Sequence, residues 1–291
     1  MKWNESSKLS KFIWINGEFV PWDEGYAHVL THSLHYAGAV YEGERAYNGK
    51  VFKLEEHTNR LLKSAQLMHL DVKYSAEEIN QATRDVLEKN GLKNAYVRPL
   101  IWRGAESLGI YSESLSVNLL IFAVESDPKI ENGLKLQLGP WRKPSENSIP
   151  PQAKSSAHYA MMSISQKIAH ENGYDDALLL DSYGAVAESS VTNIFFVKNG
   201  ELITPIADRF LNGITRQTVF EMAKTLGIKV KEQRIFLEDL KTYQSCFICG
   251  TSAEIKGVSL IDNNGEIIEF ASDEITIILQ KEYAKLTGKR I

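Results

Sequence analysis

The sequence predicts an α+β protein in two domains, from three observations. Asn-Gly pairs flanked by alternating apolar residues occur at Asn16-Gly17, Asn48-Gly49, Asn199-Gly200 and Asn264-Gly265. Each asks for a tight type I′ hairpin, because both central residues must take positive φ. Helical stripes lie between these hairpins, so both halves mix helix with mainly antiparallel strands. Five of the eight prolines (Pro128, Pro140, Pro144, Pro150 and Pro151) crowd one stretch that cannot be a long helix.

A chain of 291 residues is long enough for two modest domains. The proline seam divides it into a small N-terminal domain over 1–126, a connection and loop over 127–152, and a larger domain over 153–291 whose first strand begins near 133. In the first domain, Ser75-Ala76-Glu77-Glu78 reads as a capping box that opens a helix stopping near Gly91. In the second, Met161, Ile164, Ser165 and Ile168 form a helical stripe ended by Gly173. Val219, Met222, Ala223 and Leu226 form another, ended by Gly227. Ser245–Cys249 reads as a buried strand whose Cys246 and Cys249 point to opposite faces. A zinc site needs roughly four ligands and no second cysteine pair exists, so reduced structural thiols are expected.

Charged residues are 24% and hydrophobic ones 43%, the proportions of an ordinary soluble protein. A formal charge of −4 offers no bulk field for gripping nucleic acid or an anionic membrane. The longest apolar run, Leu119–Val124, is too short to cross a bilayer, and Met1–Ser7 lacks a signal-peptide core. A cytoplasmic enzyme is the expectation. There is no Gly-x-Gly-x-x-Gly after a strand and no Walker loop. His28, His32 and His35 would share one helix face, but no nearby glutamate offers the base of a zinc hydrolase, so no metal is expected.

Three places could carry chemistry. Lys154 stands among small residues between a proline-ended loop and an apolar helix. It fits either a desolvated amine nucleophile toward an aldehyde or a surface lysine at a domain edge. Glu188, ahead of small polar residues and a buried strand, could hold a protonated ring nitrogen or be an exposed turn residue near Gly184. Leu211-Asn212-Gly213-Ile214-Thr215-Arg216 feeds a helix, either as an anion cup of backbone N–H groups or as a plain capped start. Gly250-Thr251-Ser252-Ala253 is a second small-residue turn with the same potential.

Together these segments make a longer pattern: Glu188-x-Ser190-x-x-Asn193-Ile194-Phe195, then Leu202-x-Thr204, then Leu211-x-Gly213-Ile214-x-Arg216. It resembles the signature of class IV, or fold type IV, pyridoxal-phosphate aminotransferases, with Lys154 at the separation expected before Glu188. Further segments resemble branched-chain amino-acid aminotransferases within that class: His28–Tyr36, Tyr41–Tyr47, Glu56–Leu61 and Tyr96-Val97-Arg98-Pro99.

The resemblance implies a two-domain fold with pyridoxal 5′-phosphate between the domains. It implies ping-pong amino transfer between branched-chain L-amino acids (leucine, isoleucine, valine) and 2-oxoglutarate. Lys154 would bear the cofactor and shuttle the proton, Glu188 would pair with the pyridine nitrogen, and Tyr159 would bond the phenolic oxygen. Arg60, Gly213, Ile214, Thr215 and Thr251 would hold the phosphate. Tyr96, Ser252 and Ala253 would position the substrate α-carboxylate. Tyr36, Tyr41 and Leu108 would line an apolar pocket, with Leu108 and Ile110 supplied by the other subunit of a homodimer. Arg98 at the rim could pair the second carboxylate of glutamate while the floor stays apolar, or serve a structural ion pair. D-Amino-acid aminotransferases and aminodeoxychorismate lyase, of the same fold, are the rival activities. The stretch from Val124 to Trp141 is short and lacks an aromatic-rich lid, so no lid residue is assigned.

Overall fold

The computed structural model describes residues 10–126 and 133–289, so Pro128 of the connection lies outside the described residues. These residues fall into two compact units, one drawn from Met1–Asp127 with Ala153–Ala157, the other from Pro128–Gln152 with His158–Ile291. No described helix is long and apolar enough to cross a membrane.

The first unit is built on a seven-stranded sheet in which every pairing is antiparallel. Its centre is β6 (Ala95–Arg103) against β7 (Val117–Glu125), flanked by β1 (Phe12–Ile15), β2 (Glu18–Pro21), β3 (Ala39–Tyr41), β4 (Glu44–Tyr47) and β5 (Lys50–Val51). Two-residue alternation buries Val97, Ile101, Leu119 and Ile121 on one face of the sheet. They share a core with residues of α2 (Leu54–Leu67) and α3 (Ala76–Asn90), among them Leu61, Ala65, Ile79 and Val86. The expected capping box is present at Ser75 and Glu78, and Gly91 ends α3 in the left-handed conformation.

The second unit is built on a nine-stranded sheet and three helices, α4 (Tyr159–Glu171), α5 (Ile214–Thr225) and α6 (Glu274–Thr287). Antiparallel neighbours predominate, including β9 (Asp176–Leu180) with β10 (Val186–Ser189) and β11 (Asn193–Lys198) with β14 (Ser245–Gly250). Parallel pairs also occur. β8 (Leu134–Leu138) runs parallel to both β9 and β15 (Glu254–Asn263), and β12 (Glu201–Pro205) runs parallel to β13 (Val230–Gln233). The four Asn-Gly pairs at Asn16, Asn48, Asn199 and Asn264 sit at hairpin tips with both residues at positive φ; the last joins β15 to β16 (Glu266–Glu269).

Two expectations need revision. The stripe assigned to α4 is rotated: Met162, Ser165 and Ala169 face inward, while Ile164 is 51% exposed. Small side chains let α4 lie close to Ala177 and Leu179 of β9, which decides the buried face over bulk hydrophobicity. The segment Ala153–Ala157, read from sequence as the start of the larger domain, groups by contacts with the first unit. It lies beside β3, where Val40 and Ser155 form an antiparallel bridge and the Ser156 hydroxyl donates to Ala37 C=O at 2.8 Å.

Candidate active site

In the first unit, the segment 153–157 fixes the backbone of Lys154. Its N–H donates to Ser64 Oγ on α2 at 3.0 Å, and its C=O accepts from Tyr41 N–H at 3.1 Å. The side chain is half-buried, with Nζ 5.0 Å from the centre of the Tyr41 ring. Alternation along β6 sends Tyr96 and Arg98 to the sheet face opposite Val97. Arg98 donates to the Tyr96 hydroxyl at 2.6 Å and lies over the Tyr41 and Tyr96 rings at 4.6 and 5.2 Å. Gly43 lets the Tyr96 ring lie close, since a Cβ there would meet the Tyr96 hydroxyl at 2.3 Å. One set therefore joins an amine, two phenols and a guanidinium.

Beneath α2 lies an ionic cluster that the sequence did not reveal. Glu42 accepts from Arg60 Nε and Nη2, each at 2.7 Å, and from His57 Nδ1 at 2.7 Å. Burial alone would raise the Glu42 carboxyl, but Arg60 and His57 outweigh it and hold it far below the usual range. Burial keeps His57 below its ordinary value despite Glu42, so a neutral ring donates through Nδ1. Glu44 is fully buried, and neither of its carboxyl oxygens has a hydrogen-bond partner among the described residues. Burial, then the charge of Glu42, pushes it well above the carboxylate range, so it stays protonated. Arg60, expected at a phosphate, here spends a two-pronged contact on Glu42. The one visible signal is the pair of acids at i,i+2 in Glu42-Gly43-Glu44.

In the second unit, Glu188 is buried on β10, not exposed in a turn. Lys143 donates to its Oε1 at 2.5 Å and Asn193 Nδ2 to its Oε2 at 3.3 Å. The same Asn193 amide donates to Leu211 C=O at 3.0 Å and accepts from Gly213 N–H at 3.1 Å. The spacing of Glu188, Asn193 and Gly213 in the sequence pattern thus has a mechanical reason: one amide ties the acid to the loop before α5. A Cβ on Gly213 would meet Asn193 Oδ1 at 2.3 Å. No side chain caps α5 at Gly213, which leaves the first-turn N–H groups of Ile214 and Thr215 without an intrahelical partner. Ser190, also in the pattern, and Ser189 both donate to Asp176 and so anchor the turn after Glu188.

The remaining expected residues divide by exposure. Tyr159 is half-buried at the start of α4 and packs beside Met162 and Leu179. Thr251 and Ala253 are half-buried in the turn after β14, and Ser252 is exposed. Tyr36 is exposed, as are Leu108 (66%) and Ile110 (76%), and the Tyr36 hydroxyl donates to Leu108 C=O at 3.3 Å. The histidines bind backbone: His32 and His35 through Nε2 to Ile110 and Val29 C=O, His28 through Nδ1 to Leu30 N–H. Only His32 and His35 lie on α1 (His32–Tyr36), and no metal-binding group occurs among the described residues. Cys246 and Cys249 are reduced and buried on opposite faces of β14, with burial pushing the Cys249 thiol up to about 12.

Known proteins are similar to this chain along nearly its whole length. A relative from Rickettsia bellii, described as a probable branched-chain-amino-acid aminotransferase, is 52% identical over 94% of this chain and 96% of its own. The branched-chain-amino-acid aminotransferase of Pseudomonas aeruginosa is 36% identical over 95% of this chain and 92% of its own. A solved branched-chain amino acid aminotransferase from T.th., complexed with N-(5′-phosphopyridoxyl)-L-glutamate, matches with a TM-score of 0.90 at 33% identity. That match covers 97% of this chain and 95% of the other. The family model for amino-transferase class IV matches residues 39–261, and the chain belongs to that family.

Proposed function

We propose that this protein is a branched-chain amino-acid aminotransferase. It moves the amino group of leucine, isoleucine or valine to 2-oxoglutarate in two half-reactions, with pyridoxal 5′-phosphate as cofactor. The observation that carries the reading is the gathering, from three segments of the first unit, of a half-buried lysine and a Tyr41–Tyr96–Arg98 wall. The residues fit the cofactor. Glu188 is a buried acid suited to a ring nitrogen, and the uncapped start of α5 suits a phosphate. Gly213 and Gly250 let Asn193 and Thr192 lie close against these turns, where a Cβ would meet them at 2.3 and 2.8 Å.

When bound, the cofactor supplies an electron sink for the charge left at the substrate Cα. In this reading Lys154 Nζ holds the cofactor, takes the Cα proton and later returns it. Glu188 would accept a hydrogen bond from the ring nitrogen, and Tyr159 would bond the phenolic oxygen. Ile214 and Thr215, with Arg60, Gly213 and Thr251, hold the phosphate. Tyr96, Ser252 and Ala253 orient the α-carboxylate. Tyr36, Tyr41 and Leu108 accept the aliphatic side chain, and Arg98 Nη2 turns to the second carboxylate of glutamate. The exposure of Leu108 and Ile110 supports a homodimer in which each subunit lends this loop to the other. A cytoplasmic setting belongs to the same reading.

The test is spectroscopic. Purified protein reconstituted with pyridoxal phosphate is expected to turn yellow, lose that colour with L-leucine and regain it with 2-oxoglutarate. Lys154→Ala is expected to lose both the lysine-bound colour and turnover. A response to D-alanine alone, or pyruvate release from aminodeoxychorismate, would replace the reading with one of its same-fold rivals.

A further inference from the structure

Lys143 has no place in the sequence pattern, yet it carries the charge closest to Glu188. Both side chains are nearly buried, 4% and 7% exposed, with the ammonium 2.5 Å from Oε1. A carboxylate so withdrawn from water takes up a proton unless a cation remains beside it. Its other named neighbours are neutral or engaged elsewhere. Asn193 is a neutral amide at 3.3 Å. Asp176 on β9 is engaged by Ser189 and Ser190. Cys249, opposite Asn193 in the sheet, is a protonated thiol. His158 is kept neutral by burial, with the charge of Lys143 acting in the same direction. Arg216 is committed to Glu232, Asn212 and Pro205 C=O.

We propose that Lys143 is a positioning residue that keeps Glu188 ionised and aimed before the cofactor arrives, so that a pyridinium nitrogen meeting Glu188 brings its proton from solvent. The proposal rests on Glu188 being the partner of the ring. With Lys143 present, the pair is neutral as a whole, and the bound ring adds one proton taken from water. Without that ammonium, Glu188 holds the proton itself and hands it to the ring on binding, so no net uptake occurs. The two cases differ by one proton at every pH where the carboxyl of the variant is protonated.

The probe is 4′-deoxypyridoxine 5′-phosphate, which has the ring and phosphate but no aldehyde, so Lys154 cannot bond to it. Its affinity for the cofactor-free protein is measured against pH. Above the pH at which the unbound ring loses its proton, the natural protein and Lys143→Arg are expected to lose up to about tenfold in affinity per pH unit. Lys143→Met and Lys143→Gln are expected to give a flat profile over the same range. Profiles of the variants that run parallel to that of the natural protein would overturn the proposal, since lost packing displaces the curve without changing its slope.

A second measurement needs no cofactor: the carboxyl infrared band of Lys143→Met minus that of Lys143→Met/Glu188→Gln. A protonated carboxyl present in that variant and absent from the natural protein and Lys143→Arg is expected. An ionised Glu188 in Lys143→Met would overturn the proposal. Failure of the natural protein to bind either pyridoxal phosphate or the probe would sink the functional reading alone, because the infrared result decides the Lys143 role by itself.

Discussion

Glu42 in the first unit and Glu188 in the second are both buried and both paired with a cation, but they are held to different degrees. Glu42 receives three donors at 2.7 Å from Arg60 and His57. Glu188 receives one charged donor and a long contact from an amide. The first carboxylate is close to saturated and fixes α2 to the sheet. The second retains lone pairs for a further donor, which is what a ring-nitrogen partner needs. The cations differ as well, because arginine cannot shed its proton and a buried lysine can.

That difference can be broken open with one substitution in each unit. Glu42→Gln and Glu188→Gln each strand a buried cation, and each should cost about 3–5 kcal/mol at neutral pH by urea unfolding of the cofactor-free protein. Within that range the Glu42→Gln loss should be the larger, because it removes the acceptor of three donors where Glu188→Gln removes the acceptor of one charged donor. Equal losses would show that the two buried pairs are equivalent. Glu188→Gln should also lower turnover on the order of a hundredfold, the scale of losing one preorganised electrostatic contact.

A related contrast runs through the sheet of the first unit. One face buries Glu42 and Glu44 under α2, and the other carries Tyr96 and Arg98. If the second face reads substrate, Arg98→Ala should reduce kcat/KM for glutamate by on the order of 10- to 100-fold more than for leucine. Matching losses for both substrates would assign Arg98 to structure, held by its contact with Tyr96.

What the sequence made legible follows the range of the forces involved. The hairpins at Asn16, Asn48, Asn199 and Asn264 and the Ser75 capping box are local, since a positive φ or a cap concerns a few adjacent residues. The set Glu188, Asn193 and Gly213 was readable as a pattern, although the amide that ties it together appears only in the fold. The Lys143–Glu188 pair joins residues 45 apart through β9 and β10, and lies in a proline-rich stretch that reads as loop. Nothing in its local context marks it. The buried face of α4 departs from the sequence stripe for a related reason: periodicity finds a stripe, but the closeness of β9 selects the small residues Ser165 and Ala169 over Ile164. The parallel neighbours of β8 likewise depend on which distant strand arrives beside it.

The subtlest difference between the units concerns Glu44, a buried acid with no counterpart described in the second. Burial and the charge of Glu42 raise it well above its ordinary value. The folded chain therefore binds this proton more tightly than the unfolded chain does. Its contribution to stability is fully present below the unfolded carboxyl range, near 4.5, and is lost as pH rises toward the folded value. The slope for one such proton is at most about 1.4 kcal/mol per pH unit. Glu44→Gln keeps the shape of the side chain but cannot ionise, so it should match the natural protein near pH 5 and exceed it in Tm by a growing margin toward pH 8. Thermal unfolding of both cofactor-free proteins across that range reads the margin directly. A constant offset would mean that Glu44 is ionised in the folded chain, and the first unit would then hold two adjacent charged acids against Arg60.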